Sequence, residues 1–171
     1  WHYARGMAFV AKNNLTDAEN ELVEIEKLRT NKDVEELIIW EINSAGILIK
    51  IAYEVLSGEI AAKNKNYTAA ITHLKKAVEL EYTLRYDEPP TWFYPCSQNL
   101  GAVLIEAGKY AEAEKVYLKN LEDVPENGWA LFGLHQSVLK QNRIEEAAEI
   151  HKRFNKAWQN ADVTLTSSRI M

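Results

Sequence analysis

Four alanines at equivalent places constrain this chain more than anything else in it: Ala18, Ala70, Ala113 and Ala147. From five to three positions before each comes a turn that ends in an apolar or aromatic residue. The four turns are Asn13-Asn14-Leu15, Lys65-Asn66-Tyr67, Gly108-Lys109-Tyr110 and Asn142-Arg143-Ile144. Twelve positions before the alanine stands Gly6, Gly58, Gly101 or, in the last copy, His135. Four positions after it stands Leu22, Leu74, Tyr117 or His151. Residues four apart share one helix face. A small residue further upstream lets the preceding helix approach closely. The pattern predicts a helix–turn–helix unit repeated four times, and such repeats decide a fold before any local feature does.

The most regular copy runs from Gln98-Asn99-Leu100-Gly101 through Leu104, Gly108, Tyr110, Ala113 and Tyr117 to Pro125. This frame resembles the tetratricopeptide repeat, whose period is about 34 residues. Ala113 and Ala147 keep that period, whereas 43 residues separate Ala70 from Ala113 and 52 separate Ala18 from Ala70. About 9 and about 18 residues are therefore inserted between the earlier copies, measured against the family period. The resemblance implies an all-α, right-handed solenoid of helical hairpins with about four units. Repeats are expected at 1–30, 45–82, 94–125 and 127–160, with insertions at 31–44 and 83–93 and a tail at 161–171, all within one domain. Because the chain starts at Trp1, inside the first helix of repeat one, it reads as the C-terminal part of a larger bacterial protein of this family.

Local signals refine this outline. Thr16 is expected to cap the second helix and Ser44 the first helix of repeat two. Val34 to Ile42, with Ile38, Ile39 and Trp40, is expected to form a short extra helix. The segment from Arg85 to Pro95 cannot be regular helix, because Pro89 and Pro90 remove donors and push their predecessors to extended geometry.

Composition excludes several classes of function. The net charge is −5 with signs interspersed, which leaves no footprint for nucleic acid or an anionic membrane. The longest apolar run, Ile47 to Ile51, is interrupted by Lys50, so no membrane insertion is expected. Cys96 alone excludes an internal disulfide and leaves the compartment open, the cytoplasm being favoured over the periplasm. No helix pairs histidines at metal-ligand spacing, although His135 and His151 fall on adjoining faces of the last repeat. Cys96 sits at a helix start, where the dipole favours a thiolate, but no motif ties a histidine to it. No phosphate loop, nucleophile elbow or zinc-protease motif is present. Neither catalytic residues, metal nor cofactor are expected.

Two places suggest binding. Tyr82, Tyr86, Trp92, Phe93 and Tyr94 crowd into the second insertion beside Arg85, Asp87 and Glu88. Aromatics and arginine dominate interface hot spots, and solenoid insertions often map to a binding face. The alternative is that Trp92 and Phe93 fold inward as a plug. The resemblance also implies a groove lined by the first helix of each repeat. Its positions fall on Ala52, Val55, Glu59, Ala62 and Lys63; on Pro95, Gln98, Ala102, Ile105 and Glu106; and on Trp129, Phe132, Gln136, Leu139 and Lys140. The family's carboxylate clamp needs Lys, Asn and a further basic residue at the fifth, ninth and thirteenth positions. Here Val55, Gln98 or Phe132 stands at the fifth and Glu59, Ala102 or Gln136 at the ninth, so the clamp is missing.

The candidate contact set is Arg85, Tyr86, Trp92, Tyr94, Gln98, Trp129, Phe132 and Gln136. The expected function is a scaffold that binds a protein or peptide segment and does no chemistry of its own. Two alternatives stand beside it. One is an assembly module that packs on upstream repeats or self-associates through the N-terminal face. The other is a small-molecule or enzymatic pocket at the connector 82–95. The tail is expected to fold over Ile150, Phe154 and Trp158, with Val163 and Leu165 supplying apolar contacts.

Overall fold

The four turns have one conformation. In the computed structural model, which describes residues 1–170, Asn13, Lys65, Gly108 and Asn142 all have φ between 58° and 72°. Each lies five positions before its marker alanine. A left-handed residue ends a helix by turning its backbone out of the ladder. The next amide then returns to a carbonyl of the helix just ended: Asn14 to Phe9, Asn66 to Ala61, Lys109 to Leu104 and Arg143 to Val138, at 2.8–3.4 Å. That residue also becomes the N-cap of the following helix, which makes every marker alanine the fourth residue of its helix. There Ala18, Ala70 and Ala113 are 0% exposed and Ala147 is 1% exposed.

The fold is all-α apart from one small hairpin. Among the described residues the elements are α1 (His2–Ala11), α2 (Leu15–Arg29), α3 (Lys32–Glu36), β1 (Ile38–Ile39), β2 (Asn43–Ser44), α4 (Ala45–Lys63), α5 (Tyr67–Glu81), α6 (Cys96–Glu106), α7 (Tyr110–Asp123), α8 (Gly128–Lys140) and α9 (Ile144–Ala157). None of these helices is long and apolar enough to cross a membrane. The last residue of the expected tail, Met171, lies outside the described residues.

Two local expectations are corrected. Thr16 lies inside α2, and Asn14 is the N-cap, because the left-handed Asn13 fixes the helix start one residue later. Ile38 to Ile42 is not helical. β1 and β2 pair antiparallel around Trp40 and Glu41, both with positive φ, and Ile42 N–H closes the turn on the Ile39 carbonyl. Two successive left-handed residues match the twist of a tight hairpin, and the β-branched isoleucines favour strand over helix. Ser44 caps α4 as expected, its hydroxyl accepting from Ile47 N–H at 3.1 Å.

Contacts cluster the chain into two compact units, Trp1–Cys96 and Ser97–Ile170. In the first, α1 packs on α2, α4 on α5, and α4 also on α1 and α2. Val10, Ala18, Ile25, Leu56 and Ile60 form its buried cluster, with Tyr3, Met7 and Leu22 against it. His2 Nδ1 meets Glu21 at 2.6 Å, and His73 Nδ1 meets Glu54 at 2.6 Å. Relative to Ala18 and Ala70 these are the same two repeat positions with the residue types exchanged. In the second unit α7 packs on α8 and α8 on α9 around Leu104, Tyr117, Leu131, Leu134 and Val138.

The pairing of the small and large repeat positions holds in three copies. Leu74 lies against Gly58, Tyr117 against Gly101, and the rings of His135 and His151 are 4.7 Å apart. In the first copy the atoms nearest a Cβ on Gly6 belong to Leu56 of α4.

Candidate binding faces

In the first unit the connector after α5 is tied down by one asparagine. Asn43, only 4% exposed, accepts from Arg85 N–H at 2.8 Å. Its amide donates to the Arg85 carbonyl at 3.1 Å and to the Thr91 hydroxyl at 2.9 Å. Asp87 accepts from Glu88 N–H and from the Thr91 hydroxyl, which rounds the loop. So anchored, the chain delivers Trp92 to α1, where its ring meets Tyr3 edge-on at 5.3 Å and is 9% exposed. Phe93 stays 70% exposed. The buried plug is thus Trp92, and Phe93 is corrected to an exposed ring at its edge. The Phe93 ring lies over the same cluster from outside, 6.4 Å from the Tyr3 ring and 5.6 Å from that of Trp92.

The remaining connector residues are placed as follows. Arg85 is exposed, Tyr86 is exposed with its hydroxyl donating to Glu88, and Tyr94 is half-buried. Glu81, Arg85, Tyr86, Asp87, Glu88 and Trp92 are among the residues lining an open cleft of about 260 Å³. Beneath the connector the expected groove positions of repeat two are covered: Ala52, Val55, Glu59 and Ala62 are all buried. Burial, then Cys96 and Glu59, push the Tyr3 phenol far above its ordinary value. Burial, then Glu81, push the Cys96 thiol well up, so desolvation overrides the helix dipole there and keeps the thiol protonated. Glu81 also accepts from Cys96 N–H at 2.8 Å.

In the second unit the central feature is Tyr117. It is rooted in α7 and 0% exposed. A Cβ built on Gly101 of α6 would fall 2.3 Å from its Cζ, and one on Gly133 of α8 would fall 2.2 Å from the same atom. The ring therefore threads between two helices that carry glycine where it passes. No side chain fits at either position while the ring is there. Its hydroxyl lies level with them and meets the hydroxyl of Ser168. The segment after α9 thus reaches the tip of Tyr117 where that tip stands between Gly101 of α6 and Gly133 of α8.

Three more contacts hold that segment. Trp158 Nε1 donates to the Val163 carbonyl at 2.7 Å. Leu165 is 8% exposed. Arg169, also buried, donates to Glu106 of α6 at 2.7 Å. The expected fold-back over α9 is corrected in its contacts. Leu165 is buried as anticipated, but Val163 is 55% exposed and the deeper anchors are Ser168 and Arg169.

The other expected contact residues lie in this unit. Gln98 is 1% exposed, its Oε1 without a hydrogen-bond partner among the described residues. Trp129, Phe132 and Gln136 of α8 are half-buried. Trp129 pairs with Trp158 at 5.6 Å and Phe132 with Phe154 at 5.5 Å, so both aromatics face α9. Burial and the neighbouring His151 hold His135 below the ordinary imidazole range. Among the described residues no three His, Cys, Asp or Glu side chains gather as a metal site.

Sequence reasoning missed Asn43, Tyr3, Ser168 and Arg169. Only Tyr3 carried a signal, as an aromatic in the first helix of a repeat. The others are polar residues in a two-residue strand or an irregular segment, too short or too irregular for periodicity to mark the buried side. No protein-family model and no curated protein matches this chain.

Proposed function

We propose that this chain is an interaction scaffold built from tetratricopeptide-type hairpins, stacked as a right-handed solenoid, that holds an extended peptide segment across α6 and α8 and does no chemistry of its own. One observation carries this reading: an irregular segment already lies on that face, held by an apolar side chain, a hydroxyl and a guanidinium. The four identical turns support the repeat assignment. Panning a random-peptide display library on the immobilised chain tests the scaffold. Enriched peptides are expected to shift the backbone amide resonances of Gly101, Glu106 and Gly133. No enrichment, or shifts confined to residues 83–95, contradicts the proposal.

A second reading, assembly, is favoured by the rings that α8 and α9 share, all half-buried except the exposed His151: Trp129 with Trp158, Phe132 with Phe154, and His135 with His151. A further hairpin or a second copy would cover them. Sedimentation showing a monomer at every accessible concentration removes self-association.

A further inference from the structure

Residues 162–170 read Asp-Val-Thr-Leu-Thr-Ser-Ser-Arg-Ile, too polar to be ordinary core. They form neither helix nor strand. No backbone ladder holds them, and burial is confined to one residue and, three positions on, an adjacent pair. Leu165, Ser168 and Arg169 are 8%, 2% and 7% exposed, whereas Asp162, Val163, Thr164, Thr166 and Ile170 are exposed. Spaced anchors separated by solvated residues are how a globular face holds an extended peptide.

Two of the three anchors meet a feature that selects their chemistry. The apolar anchor is the one aliphatic side chain of the segment to be buried. The hydroxyl anchor meets the Tyr117 tip, which stands between the glycines at 101 and 133. The basic anchor meets Glu106, itself half-open to solvent, while the arginine side chain is only 5% exposed. Arginine suits this place because a guanidinium loses water more readily than an ammonium and bonds a carboxylate directionally.

We propose that residues 163–170 are an internal ligand of the α6–α8 face, and that a partner protein displaces them with an extended segment of the same chemistry: an apolar residue, two spacers, a small hydroxyl residue, then arginine. This rests on the scaffold reading above. A tethered competitor acts at a high effective concentration, so the free face is hidden until the internal segment is weakened.

The test uses a fluorescent peptide of residues 162–170, blocked at both ends, titrated by anisotropy into the full chain and its variants. The wild-type chain is expected to bind it weakly. Arg169→Glu sets like charges face to face at Glu106, so that chain is expected to bind the peptide at least about tenfold more tightly. Leu165→Ala is a milder release and is expected to give the same direction should Arg169→Glu fail to fold. The Glu106→Arg chain is expected to reject the wild-type peptide and accept one carrying Arg169→Glu. Equal binding by wild-type and both released chains, or binding indifferent to the charge at 106, overturns the proposal. Should library peptides still bind this face in that case, the scaffold reading survives and only the internal ligand falls; should they fail too, both fall.

Discussion

Gly133→Ala places a methyl group where the Tyr117 ring passes. At an open helix site this change stabilises by about 0.5–1 kcal/mol, because alanine orders at less entropic cost. Here the new carbon would lie 2.2 Å from Tyr117 Cζ and 2.6 Å from its hydroxyl oxygen. Optimal carbon contacts lie at roughly 3.5–4.0 Å, so the ring must withdraw by more than about 1 Å. It has nowhere to go. Gly101 closes the opposite wall, and Ser168 caps the hydroxyl. Overpacking of this kind costs typically about 1–3 kcal/mol, which exceeds the propensity gain. A net loss of about 1–2 kcal/mol is expected on those figures. The Tyr117→Leu background removes the obstacle, and Gly133→Ala should there become neutral or stabilising by up to about 1 kcal/mol. Denaturant midpoints of the four proteins, at constant slope, complete the cycle. A Gly133→Ala effect of equal sign and size in both backgrounds would refute the threading of Tyr117 between α6 and α8.

Three further outcomes are expected. Trp92→Ala should cost about 3–5 kcal/mol in thermal denaturation, whereas Phe93→Ala, 70% exposed, should stay within about 0.5 kcal/mol; equal losses would show that the connector packs otherwise. Lys65, at φ 60°, is strained by its Cβ, and Lys65→Gly should stabilise by up to about 1 kcal/mol once the extra freedom of glycine in the unfolded chain is subtracted; a lower melting temperature would contradict the left-handed turn. The depressed pKa of His135 means that the unfolded chain takes up its proton first, so this residue's contribution to stability is present above about 6.5 and declines as pH falls through that value; a His135→Gln chain should lose less stability between pH 7.5 and 5 than the wild type, as read by melting curves, and an equal loss would remove the linkage.

The repeat was legible because its signals are local and periodic. The marker alanines, their turns and the Ser44 cap all depend on residues within one helical hairpin. Tyr117 and Gly101 were paired by register alone, and they do meet. What register missed lies outside the helices. Ile38 and Ile39 read as apolar helix because the left-handed conformations of Trp40 and Glu41 carry no glycine or asparagine to announce them. Ser168 carried no signal because its partner is a tyrosine tip that stands between glycines 67 and 35 residues upstream of it, at positions 101 and 133. Of the groove positions expected in repeat two, Val55 and Glu59 are buried, and no helical period forecasts that.

The segment after α9 is central to this account, and its position is directly measurable. In a protein labelled at tyrosine ring carbons and serine β-carbons, nuclear Overhauser effects should link the Tyr117 ring to the Ser168 methylene, and the Ser168 and Arg169 amides should be protected from hydrogen exchange. Absence of those cross-peaks, together with exchange of residues 163–170 at the rate of an unstructured peptide, would contradict the account.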